Sequence, residues 1–144
     1  MADEPLGSVV LDATVLMECA RGDLAAISLV QHLDAGKTSI VVPVLAATGA
    51  AIEVGVGEGA EVIRGLCTME SVHLAGLSHA DAAIWLAGVR RELESCGSLT
   101  DAHIAAEALI HGCPIVTMDH LRWDAMVRDL SGQITVIEVT DLTE

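Results

Sequence analysis

Short runs of consecutive apolar residues alternate along this chain with longer stretches in which apolar residues recur at helical spacing. Val9 to Leu11 form such a run, ending at Asp12, and Ala13 to Ala20 follow with helical spacing, the pattern of a buried strand feeding a helix. The β-branched run in Ser39 to Val42 stops at Pro43, a residue that can open a helix through Val44 to Val54. Val72 to Leu74 read as a third strand, and Ser78 to Glu94 carry helical periodicity. Ser98 starts a strongly apolar helix through Ile110, ended by Gly112. Pro114 to Thr117 are a fourth strand, Leu121 to Leu130 a further helix, and Ile134 to Val139 a last strand. Strands alternating with helices predict an α/β fold with a mainly parallel sheet covered on both faces. The three glycines in Gly55 to Gly59 follow a helical stretch and lack the spacing of a phosphate loop, so they read as a break between two helices. With no internal repeat, low-complexity tract or linker, one domain over residues 1–144 is expected.

Hydrophobic residues make up 52% of the 144 positions, yet there is no Phe or Tyr and only two Trp, so the core must be built from Ala, Val, Leu and Ile. Such side chains let helices approach a sheet closely. A chain of this length buries about two-thirds of its unfolded surface. Met1 to Gly7 are acidic and lack the basic flank and apolar stretch of a secretory signal, so a cytoplasmic location is expected. The longest uncharged run, Thr38 to Ile52, is shorter than a bilayer span and interrupted by Pro43 and Gly49, so no membrane segment is expected. Cys19, Cys67, Cys96 and Cys113 form no C-x-x-C pair and sit among apolar neighbours, as small buried hydrophobes in a reducing compartment do. A formal net charge of −14 repels phosphate backbones, so a nucleic-acid role needs a metal ion or a partner to supply positive charge.

In parallel α/β sheets ligands sit outside the carboxyl ends of the strands, which is where Asp12 and Asp119 fall. Asp101 lies in the first turn of the helix that begins near Ser98. Three carboxylates brought together repel one another unless a cation intervenes, so this cluster suits Mg²⁺ or Mn²⁺ with hard oxygen ligands. Each aspartate also has a local structural reading. Asp12 and Asp119 can be N-caps, and Asp101 can close a capping box with Ser98, a form that Ser78-His79-Ala80-Asp81 repeats. On spacing alone both readings stand.

The run from Ser98 to Asp119, with Asp101 opening an Ala-rich helix, Gly112-Cys113-Pro114 as its turn and Thr117-Met118-Asp119 ending the strand, resembles the later motif of PIN domains, especially VapC-type toxins. Val9-Val10-Leu11-Asp12-Ala13-Thr14 is similar to the first PIN motif, and Trp123 falls where those proteins often have Phe. The resemblance covers essentially the whole chain and is looser in the middle. It implies a three-layer α/β/α domain and a toxin-type endoribonuclease in which Asp12, Asp101 and Asp119 hold Mg²⁺ or Mn²⁺ and activate water for attack on an RNA phosphodiester. It also implies an antitoxin or other protein partner and a homodimer, with Thr14 orienting Asp12 through its hydroxyl. The family usually places a Glu one turn into the helix after the second strand. Counting from Pro43 puts that position at Ala47, and neither Glu53 nor Glu18 replaces it. The alternative is a non-catalytic PIN-like module that binds a protein or ligand.

His103, Glu107 and His111 fall at i, i+4 and i+8, which is either a zinc half-site or, as favoured, a solvated stripe of His–Glu pairs. His120 and Arg122 follow Asp119 closely and are either phosphate contacts or plain surface. Arg90 and Arg91 read as part of a solvated helix face. A haloacid-dehalogenase motif fails because Ala13 stands where a second Asp is required, and a receiver domain fails because Lys37 is the only lysine.

Overall fold

The computed structural model describes residues 7–93 and 97–142, so the acidic terminus before Gly7, Glu94 and Cys96 lie outside the described residues. In chain order the elements are β1 (Ser8–Leu11), α1 (Ala13–Ala20), α2 (Leu24–Ala35), β2 (Ser39–Pro43), α3 (Val44–Val54), α4 (Glu58–Leu66), β3 (Val72–Ala75), α5 (Ala80–Glu92), α6 (Leu99–His111), β4 (Ile115–Thr117), α7 (His120–Asp129), β5 (Val136–Glu138) and α8 (Val139–Leu142). The five strands form one all-parallel sheet in the order β3-β2-β1-β4-β5, covered by helices in three α/β/α layers.

Strands paired on both sides and covered on both faces have no polar side to present, which is why the central strands read as unbroken apolar runs. Val9, Val10 and Leu11 of β1, Ile40, Val41 and Val42 of β2, and Ile115 and Val116 of β4 are all buried. The edge strand β3 instead exposes His73 and Leu74. Among the described residues no helix is long and apolar enough to cross a membrane.

Helix α6 lies over β1, β2 and β4 and is buried on every side from Asp101 to Ala108. Ala102, Ala105, Ala106 and Ala108 keep it thin, so that it fits between the sheet and its neighbours α3 and α5 without aromatic packing. Gly112 ends it in the left-handed region, at φ 61°, where a residue without Cβ is least strained.

Three sequence expectations change. Helix α2 is absent from the periodic reading, although Asp23 caps it through Ala26 N (2.9 Å) and Ala26, Leu29, Val30 and Leu33 form a buried i, i+3, i+4, i+7 stripe. The last strand is shorter than Ile134 to Val139, because the three residues of β4 offer pairing only to Val136, Ile137 and Glu138, and Val139 already begins α8. The His103, Glu107 and His111 series is not a solvated stripe. His103 is fully buried, Glu107 is nearly so, and only His111 is exposed, because α6 runs through the centre of the protein.

His103 Nδ1 accepts from Leu45 N (3.4 Å) in the first turn of α3, which leaves a ring proton to Nε2. Among the described residues Nε2 has no hydrogen-bond partner of good geometry, but it lies 3.4 Å from Glu107 Oε2, close enough to act electrostatically. Glu107 Oε1 meets His111 Nε2 at 3.2 Å. The facing His103 ring, with His111 adding to it, holds the Glu107 carboxyl below its usual range against the opposing effect of burial. A depressed carboxyl contributes stability above its unfolded pKa and loses it as pH falls through the folded value. The urea midpoint should therefore be level above about pH 5 and drop below about pH 4.3, the unfolded Glu value, and this drop should be shallower in Glu107→Gln.

Candidate functional site

Parallel pairing of β1 with β4 sets the site's frame. Leu11 pairs with Val116, and Asp12 N continues the ladder by donating to Val116 O (3.1 Å). Asp12 thus leaves β1 beside the end of β4 and caps α1. Its carboxylate is only 1% exposed. Oδ1 accepts from the Thr14 hydroxyl (2.6 Å) and from Val15 N (3.2 Å). Oδ2 accepts from the Thr117 hydroxyl (2.6 Å) and from the indole Nε1 of Trp123 (2.9 Å).

Since both threonine protons go to Asp12, the two hydroxyl oxygens, 3.3 Å apart, are left as acceptors. Thr14 then receives Met118 N (3.0 Å) and Thr117 receives Asp119 N (3.1 Å). The orienting bond expected of Thr14 is present, as one of four.

Asp101 closes the capping box of α6: the Ser98 hydroxyl accepts from Asp101 N (3.1 Å), and Asp101 Oδ2 accepts from Ser98 N (3.1 Å) and the Ser98 hydroxyl (3.0 Å). The same oxygen takes a charge-assisted bond from Arg122 Nη2 (2.7 Å). Asp101 is buried, whereas the Arg122 side chain is partly exposed, its guanidinium carbon 5.9 Å from the centroid of the Trp123 ring. Among the described residues no donor is placed on Asp101 Oδ1. Asp119 is exposed and caps α7 by a long contact from Arg122 N (3.4 Å).

Asp12 and Asp101 line one pocket of about 290 Å³ together with Thr14, Gly49, Thr100 and Arg122. Asp119 is not part of its lining, and neither is Ala47, which packs against the core. The α3 residue that faces the pocket is Gly49. At roughly 100° per residue the two positions are about 200° apart around the helix, so the position counted from Pro43 is displaced by two residues. A Cβ at Gly49 would meet only the Thr100 side chain, at 3.7 Å, so the pocket has room for a larger residue there. Arg122, Trp123 and Thr117 are the site residues whose roles the sequence did not disclose; the one available signal was an indole N–H at a position resembling a family Phe.

A hard divalent ion needs several oxygens with free lone pairs. The carboxylate of Asp12 has about four acceptor sites, all met by protein donors, and one oxygen of Asp101 is held by Ser98 and Arg122. Among the described residues no group of three or more His, Cys, Asp or Glu side chains is placed to hold a metal. As arranged, this donor set does not fit Mg²⁺ or Mn²⁺.

No protein-family model matches the chain, and no curated protein matches it. Solved structures do. The VapBC2 complex from Rickettsia felis, bound to a DNA fragment from its promoter, contains a chain that aligns at 12% identity over 91% of this chain and 98% of that one, with a TM-score of 0.64. A toxin–antitoxin complex from Klebsiella pneumoniae matches at 19% identity over 91% and 97% of the two chains, with a TM-score of 0.57. FitAcB from Neisseria gonorrhoeae matches at 15% identity over 92% and 98%, also at 0.57. At these identities the likeness is one of fold: the chain has a PIN-type, VapC-like architecture.

The saturated Asp12 predicts an unusual mutational sign. In a cluster of repelling acids, removing one carboxylate stabilises the metal-free protein. Here Asp12→Ala should destabilise it by about 3 kcal/mol, since buried donors on Thr14, Thr117 and Trp123 lose their acceptor. Asp12→Asn should also destabilise, because its amide N–H₂ must face one of those donors. Urea denaturation in EDTA reads both; an Asp12→Asn protein more stable than the parent would favour a repelling acid cluster.

Proposed function

We propose that this PIN-fold domain works by engaging a protein partner of antitoxin type, and that its acidic crevice is a hydrogen-bonded structural centre rather than a metal-dependent nuclease site. The saturation of the Asp12 carboxylate by four protein donors carries this reading. Two further observations support it. A net charge of −14 opposes binding of RNA and favours a basic partner, and one structure of similar fold is that of a toxin–antitoxin complex. Homodimerisation belongs to the same proposal. Ile84, Trp85 and Ile110 are exposed around an apolar groove of about 670 Å³ between α5 and α6, a face that a second copy can cover.

A second reading, a Mg²⁺- or Mn²⁺-dependent endoribonuclease with Asp12, Asp101 and Asp119 as ligands, is favoured by one observation. Asp12 and Asp101 line the same open pocket, and among the described residues no donor is placed on Asp101 Oδ1. Melting temperature in EDTA and in millimolar Mn²⁺, measured beside cleavage of a structured RNA, separates the two. The expected result is a Mn²⁺ shift and a cleavage rate no greater in the parent than in Asp101→Asn. Mn²⁺-dependent cleavage that disappears in Asp101→Asn would establish the nuclease instead. On the partner side, co-expression with the product of an adjacent small reading frame should give a stable complex on size exclusion, and sedimentation of the chain alone at micromolar concentration should give a dimer.

A further inference from the structure

We propose that Trp123 is the residue that bars a divalent ion from this crevice, its indole N–H standing where a metal would take a lone pair of Asp12. The proposal rests on the reading that the crevice is not a metal-dependent centre and names the group responsible. Three of the four donors to Asp12 are ones that a metal site can spare or retain. Thr14 and Val15 N share Oδ1, and a hydroxyl such as that of Thr117 can rotate its proton elsewhere. The indole N–H is different. It is donor-only, fixed in the plane of a rigid ring, and carried by the largest fully buried side chain of the protein, 2.9 Å from Oδ2.

For a cation to reach Oδ2, the ring must swing out of the core or the N–H must remain buried without an acceptor, and each course is costly. A Phe at this position would fill much of the same space and leave the lone pair free. Arg122 completes the exclusion by placing its positive charge on Asp101 Oδ2, with its guanidinium over the same Trp123 ring. The carboxylate-free Gly49 opposite is what makes the exclusion affordable, since no further acid in the pocket requires a cation.

The indole N–H resonances provide a test in the folded parent. Bound Mn²⁺ broadens signals in a way that falls steeply with distance, and the indole of Trp85, on the exposed face of α5, is an internal reference. The Trp123 signal should persist in millimolar Mn²⁺ as well as that of Trp85, in the parent and in Gly49→Glu alike. Its selective loss in either protein would overturn the proposal, since Mn²⁺ would then sit beside Asp12 with Trp123 in place. In a second arm, Mn²⁺ binding is read from the electron paramagnetic resonance of the free ion. Trp123→Phe combined with Gly49→Glu should bind at least tenfold more tightly than Gly49→Glu alone. Equal affinity in the two folded variants would overturn the assignment. If the Phe variant does not fold, the indole signals of Gly49→Glu decide. Mn²⁺ in the crevice of the parent sinks both this proposal and the partner-binding reading, whereas an inert parent with an equally inert double variant sinks only the assignment to Trp123.

Discussion

A carboxylate taken almost wholly out of water must find its hydrogen-bond donors within the protein, and Asp12 finds four of them on three separate elements. Thr14 and Val15 belong to α1, Thr117 to the end of β4, and Trp123 to α7. Each donor would itself be stranded if another element were displaced, so the hydrogen bonds fix the ends of β1 and β4 and the starts of two helices relative to one another. The parallel pairing of β1 with β4 brings these groups into range, and the anion then specifies how the layers meet. Packing of small aliphatic side chains alone, in a core without Phe or Tyr, would define that junction less sharply.

The electrostatics of the crevice follow from the same constraint. Two buried carboxylates near one another usually demand a cation, and a chain with seven basic residues against twenty-one acidic ones has few to spare. One of the seven, Arg122, is placed on Asp101. Ser98 shares the remaining task through its backbone N–H and hydroxyl, which also cap α6. Capping and charge compensation are therefore one arrangement at Asp101, and at Asp12 the N-cap bond to Val15 N is one of four that together replace solvation. The structural and chemical readings of these aspartates compete for the same lone pairs.

Helix α6 links this centre to the rest of the core. Its first turn supplies Asp101, and its second carries His103, whose ring receives Leu45 N at the start of α3, the helix that presents Gly49 to the pocket. Glu107 follows on the same face of the helix. A buried polar ladder of this kind holds α6 in register against α3, so the shape of the pocket depends on residues remote from its opening.

Much of this was legible in the sequence for physical reasons. Unbroken apolar runs at Val9 to Leu11 and Ile40 to Val42 can be buried only as central parallel strands, Pro43 and Gly112 mark where helices begin and end, and the resemblance to PIN motifs pointed to the fold; of the three aspartates it singled out, Asp12 and Asp101 line one pocket and Asp119 does not. Local signals mark a local turn or face. They say nothing of what meets a side chain from 100 residues away. Whether Asp12 holds a metal or the protein itself depends on Thr117 and Trp123, brought to it only by the pairing of β1 with β4 and the seating of α7. That Gly49 rather than Ala47 faces the crevice depends on the rotation of α3 against α6, and the burial of His103 depends on the layers enclosing α6. The sequence by itself determined most of the strands and helices, α2 and the length of β5 excepted, because periodicity and caps are properties of neighbouring residues. The state of the acidic site was decided by tertiary structure alone, because lone pairs are filled by donors that only folding brings within 3 Å.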